Sequence, residues 1–105
     1  FRAAFGPYYA TPVYNNFLAW AGYTEAAAQI AEGWAEKDRN KTASAMSDEM
    51  IDEIAIIGDE GEIQARIQAD ADGGVDTHII APLAGNKEDV DRTFAAFTGT
   101  AFQFA

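Results

Sequence analysis

Cysteine is absent from the chain, which excludes disulfides and thiolate metal sites and permits, without requiring, the reducing cytoplasm expected here. There is one histidine, and the carboxylates fall mostly at helix starts and on faces opposite the apolar stripes, so no set of side chains has metal-ligand spacing. Basic residues are scarce: seven Lys and Arg stand against 17 Asp and Glu, for a formal charge of -10. Such a chain repels a phosphate backbone and an anionic membrane surface, and its cations are too scattered to form a basic patch. Nor does any apolar run approach the roughly 20 residues that a spanning helix needs. The opening FRAAFGPYYATP lacks the basic start and small-residue cleavage site of a signal peptide and begins on Phe1, not Met, so the chain reads as a piece cut from a longer one.

What is present favours a packed fold. Apolar residues make up 49% and aromatics 12% of 105 residues, enough to fill one core, and residues 1–105 read as a single segment. Gly6-Pro7 and Pro12 predict an irregular start followed by a helix from Pro12 to Ala21, stopped by Gly22. Thr24 is placed to cap the next helix, with Glu25 in its first turn and Ala27, Ile30, Ala31 and Trp34 as its apolar stripe. EKDRNKTASA predicts a charged turn into a short helix. Ser47 caps another, striped by Met46, Met50, Ile51 and Ile54. The run IAIIG is open between helix end and short strand.

Asp59 with Glu62 forms the aspartate version of a capping box, and Ile63, Ile67 and Ala71 stripe a helix that Gly73-Gly74 should end with at least one positive φ. Val75 to Ala81 then predicts a strand that is apolar on both faces, stopped by Pro82. Asn86 and Asp89 repeat the cap signature before a last helix striped by Val90, Phe94 and Phe97. One strand of this kind normally lies inside a parallel sheet covered by helices, and its sheet neighbours are missing from the sequence.

Few residues offer chemistry. Asp48, Glu49, Asp52 and Glu53 resemble a carboxylate cluster, but the apolar residues among them define the buried face and turn the acids outward. His78, with Asp76 two residues back, has the makings of a general base; the plainer reading is a hydrogen-bonded core or interface histidine. Gly73-Gly74 follows a helix and precedes a strand, so it is a helix stop and not a phosphate turn. PLAGNKED, residues 82–89, has the right polarity for anion binding but only one glycine. Tyr8, Tyr9 and Tyr14 are spaced as core aromatics.

The stretch MSDEMIDEIAIIGDEGEIQARIQADADGGVDTHIIAPL, with FGPYYATPVYNNFLAWAGYTEAAAQIAEGWAEKDR before it, resembles the C-terminal part of luciferase-like flavin- or F420-dependent oxidoreductases and monooxygenases. The likeness covers nearly the whole chain and departs in GDEGE, where many members carry GTPEE. It implies an α/β fold: the last third of a (β/α)8 TIM barrel, comprising a helical insertion, helix 7, strand 8 and helix 8. It implies F420 or FMN as the parent's cofactor, held by segments this chain lacks, so that the fragment binds none and is inactive alone. It places Ala81, Pro82 and Leu83 at the active-site rim, with Tyr9, Tyr14 and His78 as further pocket-lining candidates and no catalytic residue. An orphan strand at Thr77–Ile80 and uncovered aromatic faces would favour a homo-oligomer, most simply an antiparallel two-fold dimer. The alternative is a small acidic helical interaction module with no enzymatic parent.

Overall fold

The computed structural model describes residues 1–97. These divide between two compact units, Phe1–Ala55 and a second that begins at Ile56. The first holds five helices: α1 (Arg2–Tyr9), α2 (Pro12–Trp20), α3 (Thr24–Ala35), α4 (Arg39–Ser44) and α5 (Asp48–Ile54). Their shared core is Tyr9, Leu18, Ala27, Ile30, Met46, Met50 and Ile51.

The irregular start expected around Gly6-Pro7 is instead helix α1, with Pro7 inside it. Proline lacks the N–H that would reach Ala3, a defect costing about 3 kcal/mol in a helix interior. Ala3 is exposed, so its freed carbonyl can turn to water. An aromatic seam holds the rest: Phe1 stacks on Phe5 with ring centroids 4.7 Å apart, and Phe5 lies 6.3 Å from the buried ring of Tyr9. The seam packs on the first unit's core, to which Tyr9 belongs, so tertiary packing overrides a local breaker.

Helix α2 begins with Pro12 in its first turn, where no N–H is required. It ends as expected at Gly22, which has φ 102. Tyr23 N donates to Leu18 O at 2.9 Å and Gly22 N to Ala19 O at 3.2 Å, the paired bonds of a Schellman stop. Inside, Asn15 Nδ2 donates both to Tyr9 O at 3.0 Å and to Ala27 O at 2.7 Å. One amide therefore ties α1, α2 and α3 together and satisfies the carbonyl at the C-terminal end of α1.

Two details of α3 differ from the sequence reading. Tyr23 stands at the N-cap without a side-chain bond, and Thr24 is already helical. The buried side is Ala27, Ile30 and Gly33, whereas Ala31 and Trp34 are exposed. The reason lies in α4, which crosses so closely that a Cβ at Gly33 would stand 2.7 Å from Thr42 Oγ1 and 2.8 Å from Thr42 N. The side of α3 that carries a glycine faces the neighbour, and the bulky indole is turned away.

The remaining first-unit signals hold. Asp38 accepts from Lys41 N at 3.0 Å at the start of α4, and Ser47 accepts from Met50 N at 3.2 Å at the start of α5. Met46, Met50 and Ile51 are buried, and Asp48, Glu49, Asp52 and Glu53 are all exposed. The ambiguous IAIIG run is neither alternative in full: α5 ends at Ile54, and Ala55 is extended but belongs to no strand.

In the second unit, α6 (Glu60–Asp72) opens with the full capping box, Asp59 accepting from Glu62 N at 2.9 Å and Asp59 N donating to Glu62 Oε2 at 2.8 Å. It closes in another Schellman stop, with Gly74 at φ 109 and Val75 N donating to Asp70 O at 3.0 Å. Helix α7 (Lys87–Phe97) starts where Asn86 Oδ1 accepts from Asp89 N at 2.8 Å. Ile67 is buried in α6, and no residue of α7 is.

The strand expected at Val75–Ala81 is not formed: among the described residues there is no strand, and 75–84 is irregular. A strand exists only through hydrogen bonds to another segment, and these residues have none to pair with. Burial still alternates, with His78, Ile80 and Pro82 half-buried and Thr77, Ile79, Ala81 and Leu83 exposed, as in a pleated chain.

Candidate functional site

The tyrosine candidates meet at the corner between α1 and α2. Tyr9 and Tyr14 stand edge to face, with ring centroids 6.2 Å apart and an interplanar angle of 87°, and Tyr8 meets Tyr14 in the same manner at 6.1 Å. Tyr9 belongs to the core. Burial, then the neighbouring Tyr14 phenol, pushes its pKa above the ordinary tyrosine value. Tyr14 and Tyr8 present one side to solvent.

His78, Ala81 and Pro82 lie in the second unit, in the irregular 75–84 segment. His78 is half-buried, with both ring nitrogens shielded from solvent, while Asp76 is exposed. The strand that would have set both on one face is absent. Ala81 is exposed and Pro82 half-buried, so these residues form a surface and not an enclosed site.

A pocket that sequence reasoning missed opens at the end of α3. It measures about 300 Å³ and is lined by Gly33, Trp34, Lys37 and Arg39. Lys37 has φ 60, with Asp38 N donating to Gly33 O at 2.8 Å and Lys37 N to Trp34 O at 3.1 Å. This is the Schellman geometry again, with lysine where glycine is cheapest. Nothing in the local sequence marks it, because lysine has no preference for that conformation. Close by, Lys41 Nζ lies 3.0 Å from both Glu32 and Glu36. Its hydrogen bonds to Glu32 and then Glu36 push its pKa upward. Across the core, Tyr23 donates to Glu53, and that bond, with lesser help from desolvation, raises the tyrosine's pKa.

These groups suit structure better than chemistry. Among the described residues no cluster of three or more His, Cys, Asp or Glu could hold a metal, and no helix is long and apolar enough to cross a membrane. A flavin or deazaflavin needs a slot for its fused rings and donors for its phosphate. The pocket at Trp34 is at the lower size limit for ligand sites and is partly open to solvent, and Lys87, at the start of α7, is already paired with Asp91. The side chains described here do not by themselves fit such a cofactor.

Searches of curated proteins and of solved structures gave no match. A family model described as luciferase-like monooxygenase matches residues 1–77, which takes in all of the first unit, the whole of α6 and its glycine stop. With most of its length so matched, the chain belongs to the luciferase-like monooxygenase family.

Proposed function

We propose that this chain is the C-terminal part of an oxidoreductase barrel whose reaction is hydride transfer to or from F420 or FMN, and that it is inactive by itself. The observation that carries the reading is the 75–84 segment. It is apolar, alternates in burial and leaves Ile79 90% exposed, yet pairs with no strand among the described residues. A sequence with strand alternation and no ladder is completed by strands supplied from elsewhere. The family match supports the same conclusion.

In such an enzyme the cofactor supplies the redox chemistry and the protein supplies binding and orientation. The contribution of this part is wall and support. Ala81, Pro82 and Leu83 lie at the C-terminal end of the strand-like segment and would stand at the barrel's C-terminal rim, where active sites lie. They carry no titratable group and can only shape the cavity and exclude water.

Titration of the isolated chain with FMN and with F420, followed by cofactor fluorescence, tests the second half of the proposal. No saturable binding is expected, and micromolar affinity for either would overturn it. Reading the encoding gene tests the first half. An upstream frame with further strand and helix units is expected; a Met codon directly before Phe1 would favour a small acidic interaction module instead.

A further inference from the structure

In a chain with 17 Asp and Glu to seven Lys and Arg, a cation without a carboxylate partner is unexpected. Arg2 pairs with Asp48, Lys41 with Glu32 and Glu36, Lys87 with Asp91 and Arg92 with Asp89, and Arg66 also has a partner. Lys37 and Arg39 are the exceptions: among the described residues neither side chain makes an ion pair or a hydrogen bond. Both are exposed, and both line the pocket at the end of α3, beside Gly33 and Trp34. The carboxylates nearest in sequence are committed elsewhere, Glu32 and Glu36 to Lys41 Nζ and Asp38 to Lys41 N.

The backbone of Lys37 is the second sign. Its φ of 60 sets a β-carbon where glycine would stand at lower cost, and residues held in such conformations gather at ligand sites. The neighbouring indole is 48% exposed, so the pocket joins an aromatic face to two uncommitted positive charges. Together these select the ligand. A guanidinium is a planar fork matched to a carboxylate, an ammonium adds a point charge, and an indole takes a ring on its face or edge. At about 300 Å³ the space suits one ring better than the three fused rings of a flavin.

We propose that this pocket binds a single-ring aromatic carboxylate, its ring against Trp34 and its carboxylate held by Lys37 and Arg39. A carboxylate side chain supplied by the rest of a barrel would meet the cations and leave the indole uncovered, so the demand for a ring separates a ligand from a covering segment. All four lining residues belong to the first unit. The proposal therefore stands whether or not the chain is part of an enzyme.

Benzoate is the probe. The chain has two tryptophans, and Trp20 is exposed and outside the core, so Trp20→Phe leaves Trp34 as the only reporter. Titration of that variant with benzoate should change its emission saturably. The affinity should exceed by at least about tenfold that for acetate, which has the charge without the ring, and that for benzyl alcohol, which has the ring without the charge. Arg39→Gln should weaken benzoate binding about tenfold, the effect of losing a charge-assisted hydrogen bond. Lys37→Gly should weaken it as much while raising the denaturation midpoint, an opposition that a purely structural lysine would not produce. Both positions are exposed, so the circular dichroism spectrum should be preserved. No saturation in the millimolar range, acetate or benzyl alcohol binding as tightly as benzoate, or an affinity unaffected by the two variants would each overturn the proposal.

Discussion

The first unit packs its helices around a common core running from Tyr9 to Ile51, whereas α6 and α7 bury only Ile67 among the described residues. Yet the second unit is the better marked at its helix ends. It holds the full Asp59–Glu62 box, the Gly74 stop and the reciprocal Asn86–Asp89 bonds. Helix α3, at the centre of the first unit, has no side-chain cap and ends on a lysine at positive φ. Terminal signals fix where a helix begins and stops and are each worth about 1 kcal/mol; burial of a large side chain is worth several times that.

The comparison is sharpest for side-chain truncation. Ile30→Ala in α3 removes a side chain with no exposure and should cost about 2–4 kcal/mol in urea denaturation. Phe94→Ala in α7, where the ring is 43% exposed, should cost less than half as much. Equal losses would show that α7 is more deeply buried than the structure indicates.

Helix stops come next in size. Gly74→Val meets no atom within 4 Å of its Cβ, so the expected loss of about 1–2 kcal/mol is purely the backbone's left-handed conformation. The complementary change, Lys37→Gly, should stabilise the first unit by about 1 kcal/mol, read as a higher denaturation midpoint. A neutral result at both positions would remove the left-handed stops as a source of strain. For the capping box, Asp59→Ala should cost about 1 kcal/mol and fray α6 from its N-terminus, which amide exchange at Glu62 and Ile63 would register.

The smallest effect is alkaline. Tyr23 is raised by its bond to Glu53, Lys41 by its bonds to Glu32 and Glu36, and Tyr9 by burial and then Tyr14. In each case the folded state holds the proton more tightly. The stability these groups contribute is therefore complete below their unfolded values and is lost as pH rises through the folded ones, a window above about pH 10. All three lie in the first unit. Helicity lost above that pH should come from α1 to α5, and Tyr23→Phe should reduce the dependence.

Much of the architecture was legible because helix ends are decided within a few residues. Ser47, Asp59 and Asn86 were recognisable as caps from their own spacing, and Gly22 and Gly74 as stops, since each bonds to backbone no more than five residues away. The misplaced cap at Thr24 shows the limit: a threonine that can cap does not do so when the chain enters the helix one residue earlier. The candidate site was less legible. Tyr9 and Tyr14 were paired by the α1–α2 corner, and the pocket at Trp34 arose from a left-handed lysine and a close helix crossing. Neither feature leaves a pattern along the sequence.

By itself the sequence determined the caps at Ser47, Asp59 and Asn86, the stops at Gly22 and Gly74, the outward face of the α5 acids, the absence of thiol chemistry and the family resemblance. Each follows from residue type or from interactions across one helical turn. Tertiary structure alone decided that α1 runs through Pro7, because Tyr9 belongs to the core shared with the other first-unit helices and Phe1 and Phe5 pack against that core. It decided that Gly33 and not Trp34 faces α4, because backbones approach closely only where a side chain is missing. It also decided that Val75–Ala81 has the alternation of a strand without being one. Helical hydrogen bonds close within the segment, whereas a strand's bonds must be supplied by another.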